Sequence, residues 1–371
     1  MRTDILNWSG LKCKFCGIMM KKRIISIIVA ITAIGAAAVT SACAQKDGYL
    51  SSVRTVPVQE LSVFSEQPLG QYGLKEPSLI CKSGENIILA DHFSKYCVDA
   101  INMVSGSKTG LFRKGRGPKE VITSYITTYK GELILYDISN ETCVKVNLEN
   151  SLRDGFPCVD TLFVLQRGLD MPTSIQLYDD GFIAAYPVSK NIWYASRDYD
   201  GTCRSTIPAP SYPELKRMSD DLYWSFLLST HYAVRPDGTA VCAAMTGSPT
   251  LSFSLIEKGE LREIRRYQAE APEFSENGEA FTYNSRRAFS RPVAYGDKVY
   301  VLYSGQPLKG SDDGCPPYEC KHLMEYGWDG KPGRHFVLSE PICSFCIEGD
   351  TLLGLSNYPE TRILTYDLNC K

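Results

Sequence analysis

The side chains able to do chemistry are few and scattered. The chain has four histidines, His92, His231, His322 and His335. None stands in a His-Glu-x-x-His pattern, and no Gly-x-Ser-x-Gly nucleophile turn occurs. Asp91-His92 is the adjacent carboxylate–imidazole pair that a hydrolase could use as acid and base; the plainer reading of it is a polar strand end. Cys315-x4-Cys320-x-His322, followed by Cys343-x2-Cys346, is the constellation with metal-ligand spacing, and its soft ligands suit a structural zinc. Against zinc, Cys343 and Cys346 fall on a strand whose alternation would turn them apart. Cys97, Cys143 and Cys242 also show the chain using cysteine as a small apolar residue. The sequence therefore assigns no catalytic residue, no metal and no cofactor. A Cys315–Cys320 disulfide is the alternative use of the first pair in an exported chain.

Three further patterns are weighed the same way. Asp198-x-Asp200-Gly201 opens like a calcium loop, but the glutamate required eleven residues after Asp198 is replaced by Ala209, so a hairpin turn fits better. Tyr223-Trp224 and Trp193-Tyr194 would stack on sugar rings if exposed and pack between sheets if not. Gly115-Arg-Gly-Pro-Lys-Glu120 is glycine-rich. It lacks the Gly-Lys-Ser/Thr ending of a phosphate loop, and Pro118 has no N–H to offer. It reads as a structural turn in which Arg116 and Glu120 pair across the loop or fasten neighbouring sheets.

The elements that would position these groups follow a repeat. Turn glycines at 84, 131, 181, 238, 296 and 349 each open a short apolar run, as in Gly131-Glu-Leu-Ile-Leu-Tyr-Asp137, and their spacings are 47, 50, 57, 58 and 53. That period is near the size of a propeller blade and far from that of a helical or short β-helix repeat. Asp180-Gly181, Asp237-Gly238 and Lys130-Gly131 offer the positive φ of tight hairpins. The runs after them are apolar on both faces, as strands covered on both sides must be. The next strand alternates, with Val144, Val146 and Leu148 on one side. The sequence thus predicts an all-β, six-bladed β-propeller over residues 51–371, with Val53 to Phe64 joining the last blade as an outer strand to close the ring. Pro57 suits such an edge, where a missing donor is tolerated. Segments 206–230, 268–291 and 304–321 break the period. The first reads as carrying a short helix, and long loops on a rigid scaffold are where binding tends to reside.

Residues 1–50 have a different character. Met20-Lys-Lys-Arg23 is a positive flank, Ile24 to Val39 is an apolar run of sixteen, and Thr40-Ser-Ala42 supplies small residues before Cys43. This is the layout of a secretory signal peptide, with residues 19–42 as the signal; an N-terminal membrane anchor is the alternative. Residues 1–18, with the isolated Cys13 and Cys16, read as an extension upstream of the true start. Residues 43–50 read as a tether. Without residues 1–42 the charged residues number 34 basic and 41 acidic, a net of −7 (34 minus 41) with no basic cluster. Nucleic acid, which needs a positive footprint, is thereby excluded as partner.

Three resemblances extend this reading. Cys43 after small residues resembles the lipobox of bacterial lipoproteins, which implies lipid attachment at Cys43, and Gln45-Lys-Asp47 resembles the export tag of surface lipoproteins of the Bacteroidota. Gly115-Arg-Gly-Pro-Lys-Glu120, together with Tyr326-Gly-Trp-Asp-Gly-Lys-Pro332, resembles the six-bladed TolB-like β-propeller lipoproteins of that phylum; Lys119 departs from the family's Gly-x-Gly-Pro-Gly-Glu. The resemblance covers residues 50–371 and implies a fold but no reaction. The expectation is an exported outer-membrane lipoprotein, periplasmic or surface-facing, held to the membrane by its lipid. It would act as a binding module for an envelope protein or for a glycan or peptide ligand. The alternative is an enzyme acting on carbohydrate or peptide in the central funnel, which would show convergent carboxylates, or carboxylate with histidine, at the funnel mouth.

Overall fold

The computed structural model describes residues 48–117, 120–166, 172–185 and 191–369. Cys43, the signal segment and Pro118 of the glycine-rich motif lie outside the described residues.

Six sheets, antiparallel but for one added strand in the fifth, stand around one axis. The first holds β3 (Pro77–Ser83), β4 (Asn86–Asp91), β5 (Tyr96–Asn102) and β6 (Lys108–Arg113). The second holds β7 (Ser124–Tyr129), β8 (Glu132–Asp137), β9 (Thr142–Val146) and β10 (Val159–Val164). The third has β11 (Ile175–Tyr178), β12 (Gly181–Ala185), β13 (Ile192–Arg197) and β14 (Cys203–Pro208), and the fourth β15 (Thr230–Val234), β16 (Ala240–Met245), β17 (Thr250–Glu257) and β18 (Glu260–Gln268). The fifth has β19 (Val293–Tyr295), β20 (Lys298–Tyr303), β21 (Cys320–Gly327) and β22 (Pro332–Ile342), and the sixth β23 (Ser344–Glu348), β24 (Thr351–Ser356) and β25 (Arg362–Asp367). The first strand of each sheet lies nearest the axis, against the first strands of its neighbours.

The physical reason for the ring lies in the burial. Every residue of β12 and β16 is buried, so these strands have no solvent face, whereas the outer β18 alternates between exposed and half-buried positions. A sheet apolar on both faces must be covered on both, and the blades cover one another. Six apolar clusters fill the six gaps between adjacent blades, the last of them joining Ile80, Ile87 and Leu89 of the first blade to Leu355 and Ile363 of the sixth. Cys97, Cys143 and Cys242 are buried in these seams, as their use as small apolar residues implies.

Turn chemistry follows the glycines, with one difference. Lys130 and Gly131 both have positive φ, 50° and 79°, the pair that a tight two-residue hairpin requires. Gly181, by contrast, has no positive φ; a Cβ there would lie 2.0 Å from the Arg197 carbonyl, so close approach is what demands glycine. The alternating strand of the second blade also stops earlier than its pattern suggests. Leu148 opens a helix (Leu148–Asp154) because the Asn147 side chain accepts the Asn150 N–H and starts it.

Closure differs from expectation in its residues. The strand that completes the sixth blade is β2 (Ser65–Pro68), antiparallel to β25 with Glu66 opposite Leu364. The stretch before it does something else. Strand β1 (Val58–Leu61) adds in parallel to β22 as a fifth strand of the fifth blade, Val58 opposite His335. Residues 48–50, read from sequence as tether, belong to a helix (Gly48–Ser52) whose Tyr49 is fully buried between blades four and five. Its ring meets Tyr303 at 4.5 Å and Phe289 edge-on at 4.9 Å, and its hydroxyl bonds that of Tyr326.

Candidate functional site

Because the strands of a blade run up and down, turns between first and second strands leave by one face. Turns between second and third strands, and the links between blades, leave by the other. The period-breaking stretches, now 209–229, 269–292 and 304–319, are all of the second kind and share one face. They are folded there. A helix (Asp220–Leu228), capped by Ser219 through the Leu222 N–H, buries Leu222, Phe226 and Leu227 against blades three and four. Gly278 accepts the Ser219 N–H, which ties the first two loops together. Residues 285–290 fill the gap between blades four and five, with Ala288 N–H donating to Thr246 and Ser290 N–H to Leu302.

On this face, where the first blade meets the last two, a cleft of about 360 Å³ is lined by Glu76, His92, Phe93, Arg287, Tyr318 and Asn357. Tyr318 donates to the Glu76 carboxylate at 2.9 Å, and the Phe93 ring is 60% exposed. The Arg287 guanidinium has no carboxylate partner among the described residues. Burial lowers the Arg287 pKa below that of an ordinary guanidinium. Beneath the cleft Glu319 is fully buried, its carboxyl accepting the Asn357 N–H at 2.7 Å. Burial pushes its pKa up to about 8, against the pull of Asn357, Ser356 and Arg362.

A second cavity, of about 150 Å³, lies on the axis and is lined by the first strands of all six blades. It reaches the short-turn face at Lys130, Gly131 and Pro236 and extends inward to Arg291. No aspartate or glutamate lines it. Arg291 lies over the Tyr125 ring at 4.3 Å and donates to the Ile126 carbonyl. His231 stacks on the same Tyr125 ring, at 6.2 Å. Burial first, then Arg291 and Arg287, push the His231 pKa down to about 3.

The sequence candidates sort clearly. Asp91 is buried, its carboxylate accepting the Lys75 N–H at 2.7 Å and the Phe93 N–H at 2.8 Å, so it caps a turn and forms no dyad with the exposed His92. His92 and Glu76 do share the cleft, yet no hydrogen bond joins them. Cys315, Cys320, Cys343 and Cys346 are free thiols, and no Cys315–Cys320 disulfide forms. The first three donate to the backbone carbonyls of Pro316, Tyr318 and Pro77. Cys346 packs in the seam between blades six and one. His322 faces another way, toward His335, with ring nitrogens 3.0 Å apart. Among the described residues no group of three or more such ligands could hold a metal.

In the glycine-rich loop Glu120 accepts the Gly117 N–H at 2.8 Å and lies 3.3 Å from Arg113, not from the exposed Arg116. A Cβ on Gly115 would fall 1.9 Å from the Glu120 carboxylate. That carboxylate already occupies the place where a phosphate cradle would hold its anion. Asp198 pairs with Arg204 and Asp200 accepts the Thr202 N–H, which makes the calcium-like stretch a hairpin turn. Trp193 and Tyr194 are fully buried and Tyr223 nearly so, with Trp224 packed against the same cluster, so none offers a platform for a sugar. Sequence reasoning did not single out Arg287, Arg291, Glu319 or Tyr318. The available signal for the arginines was Ser285-Arg-Arg-Ala-Phe-Ser-Arg291, three cations with no acid among them.

Comparison with known proteins speaks to the fold. No protein-family model matches the chain, and no curated protein matches it in sequence. The crystal structure of a DUF4221 family member from Bacteroides vulgatus superposes with a TM-score of 0.51 at 10% identity, covering 83% of this chain and 97% of that one. The computationally designed Ika8 protein superposes with a TM-score of 0.40 at 9% identity, over 83% of this chain and 99% of its own. The β-propeller domain of Cps50 (Swd1) from Myceliophteria thermophila gives 0.39 at 12%, with the same two coverages, 83% and 99%. A six-bladed β-propeller is a fold consistent with a binding or interaction module.

Proposed function

We propose that this chain is an exported propeller of the TolB-like lipoprotein kind, anchored through Cys43, that binds an envelope protein or a glycan or peptide ligand on its loop-rich face. The observation that carries the reading is the cleft beside Phe93, with Arg287, Glu76, Tyr318 and Asn357 in its wall. It joins an exposed apolar ring to a few convergent polar groups, the composition a recognition site needs. The loops around it are packed and hydrogen-bonded, so a ligand meets a surface already in shape. The enzyme alternative has Glu76 and His92 in the same cleft in its favour, but no nucleophile, base and orienting group are hydrogen-bonded together there.

The reading is tested in a Bacteroidota host. The full chain, with and without Cys43→Ser, is followed by incorporation of a labelled fatty acid. A photo-crosslinking residue is placed at Phe93 or, as control, at Asp297 on the opposite face. Fatty-acid labelling that Cys43→Ser abolishes, with one defined crosslinked envelope species from position 93 only, is the expected result. An unlabelled chain, or equal crosslinking from both faces, refutes it.

A further inference from the structure

The axial cavity poses a separate question, because Lys130 at its mouth is paired with Asp179 while Arg291 at its inner end has no carboxylate to balance it. A guanidinium carries five N–H donors in a planar fork. Arg291 donates to Ile126 and rests one face on Tyr125, and among the described residues no carboxylate pairs with it. Thr127, Gln176 and Ser344 there already have partners. Thr127 donates to Gln176 at 2.7 Å, Gln176 donates to the Thr128 carbonyl at 3.1 Å, and Ser344 accepts the Ile80 N–H at 3.2 Å. Beside Arg291 the Tyr125 hydroxyl, on a ring only 8% exposed, and the His231 Nδ1 have no hydrogen-bond partner among the described residues. Arg287 adds a second positive charge felt at His231. An uncompensated guanidinium in a partly enclosed, low-dielectric site is the recognised complement of a carboxylate or phosphate.

Size and lining choose between those anions. About 150 Å³ is the size of a cavity that admits benzene. Away from Arg291 the walls present Val234, Val293, Ala294 and Phe345 between Thr127, Gln176 and Ser344, whose polar atoms already have partners. A fully hydrated phosphate has nothing to gain from such walls, whereas a ring or short alkyl body does. We infer that the axial cavity binds a small monocarboxylate with an apolar body. Its carboxylate sits on Arg291, and entry is from the short-turn face past Lys130. This site lies apart from the loop-rich cleft and shares none of its lining residues.

Benzoate, benzamide and inorganic phosphate are titrated into the full-length chain by calorimetry, alongside Arg291→Met and Arg291→Lys. Benzoate is expected to bind one to one, and benzamide, equal in shape but uncharged, about 10- to 100-fold more weakly, the worth of a charged hydrogen-bonded pair. Arg291→Met should lose benzoate by a similar factor, while Arg291→Lys, which keeps the charge, retains part of it. Equal binding of benzoate and benzamide, phosphate binding more tightly than benzoate, or no benzoate binding at millimolar concentration overturns the inference. So does undiminished binding by Arg291→Met. The benzoate–benzamide comparison on the unaltered chain decides the matter even if Arg291→Met fails to fold. The crosslinking pattern from Phe93 is read separately, so either site can fail alone.

Discussion

Replacing Glu319 by glutamine should make the protein's stability independent of one titration that otherwise weakens it at neutral and alkaline pH. Glu319 is fully buried at the foot of the 304–319 loop, and its pKa rises from an ordinary 4.5 to about 8. Between those values the folded chain holds a proton that the unfolded chain has released, so stability falls as pH rises. The contribution is whole below pH 4.5 and is lost progressively as pH climbs to and through 8. At about 1.4 kcal/mol per pH unit, the loss attributable to this group is about 3 kcal/mol by pH 7 and about 5 kcal/mol by pH 9. Glutamine keeps the oxygen that accepts the Asn357 N–H, has nearly the shape of the protonated acid and does not ionise. For a chain of this size roughly 2 °C of Tm accompanies each kcal/mol, so the variant should melt about 10 °C above the parent at pH 9. At pH 4.5 the two should melt together. The assay is a thermal melt of both proteins across that range, read as the difference, in which every other titrating group cancels. A difference that stays constant from pH 4.5 to 9 would refute the argument from burial.

Two further outcomes follow from the ends of the fold. Tyr49→Ala empties a fully buried site between blades four and five and should cost about 3–5 kcal/mol in urea unfolding. Tyr49→Phe keeps the ring and should cost about 1–3 kcal/mol, from the hydroxyl partner left behind on Tyr326; equal losses from the two would contradict the packing account. A chain beginning at residue 70 lacks β1 and β2 and exposes the edges of β22 and β25. It should aggregate and lose its cooperative melt, read by gel filtration and far-UV circular dichroism; a monomer with an unchanged melt would show that those strands are dispensable.

The repeat was legible because blade interiors must be apolar on both faces. Ala240–Met245 and Gly181–Ala185 announce themselves on that ground alone. The closing strand was not, because Ser65-Glu-Gln-Pro68 is solvated, with three of its four residues exposed, and carries no apolar pattern to find. The apolar residues just upstream, Val53 among them, drew the prediction toward themselves; Val53 is buried beside Tyr49 as a plug in the seam of blades four and five. A parallel fifth strand such as β1 has no local signature either, since its partner His335 is distant in sequence. The sites were harder still. Arg291 acquires its character from six strands that meet only at the axis, and Glu319 from the turn at Ser356–Asn357 folding over it. The cysteine spacing gathers no site because its members belong to different seams: Cys320 is buried between blades five and six, while Cys343 and Cys346 both pack between blades six and one.

The sixth sheet joins residues 65–68 to residues 344–367, and Arg362 reaches across 296 positions to Glu66 to fasten them. Synthesis therefore delivers one strand of that sheet first and withholds the other three until residues 344–367 have been made. For all the time between, five blades can form in succession while the circle stands open. Residues 344–367 decide whether it shuts, so a chain cut before them is not a slightly shorter ring but one with two raw margins facing each other across a gap.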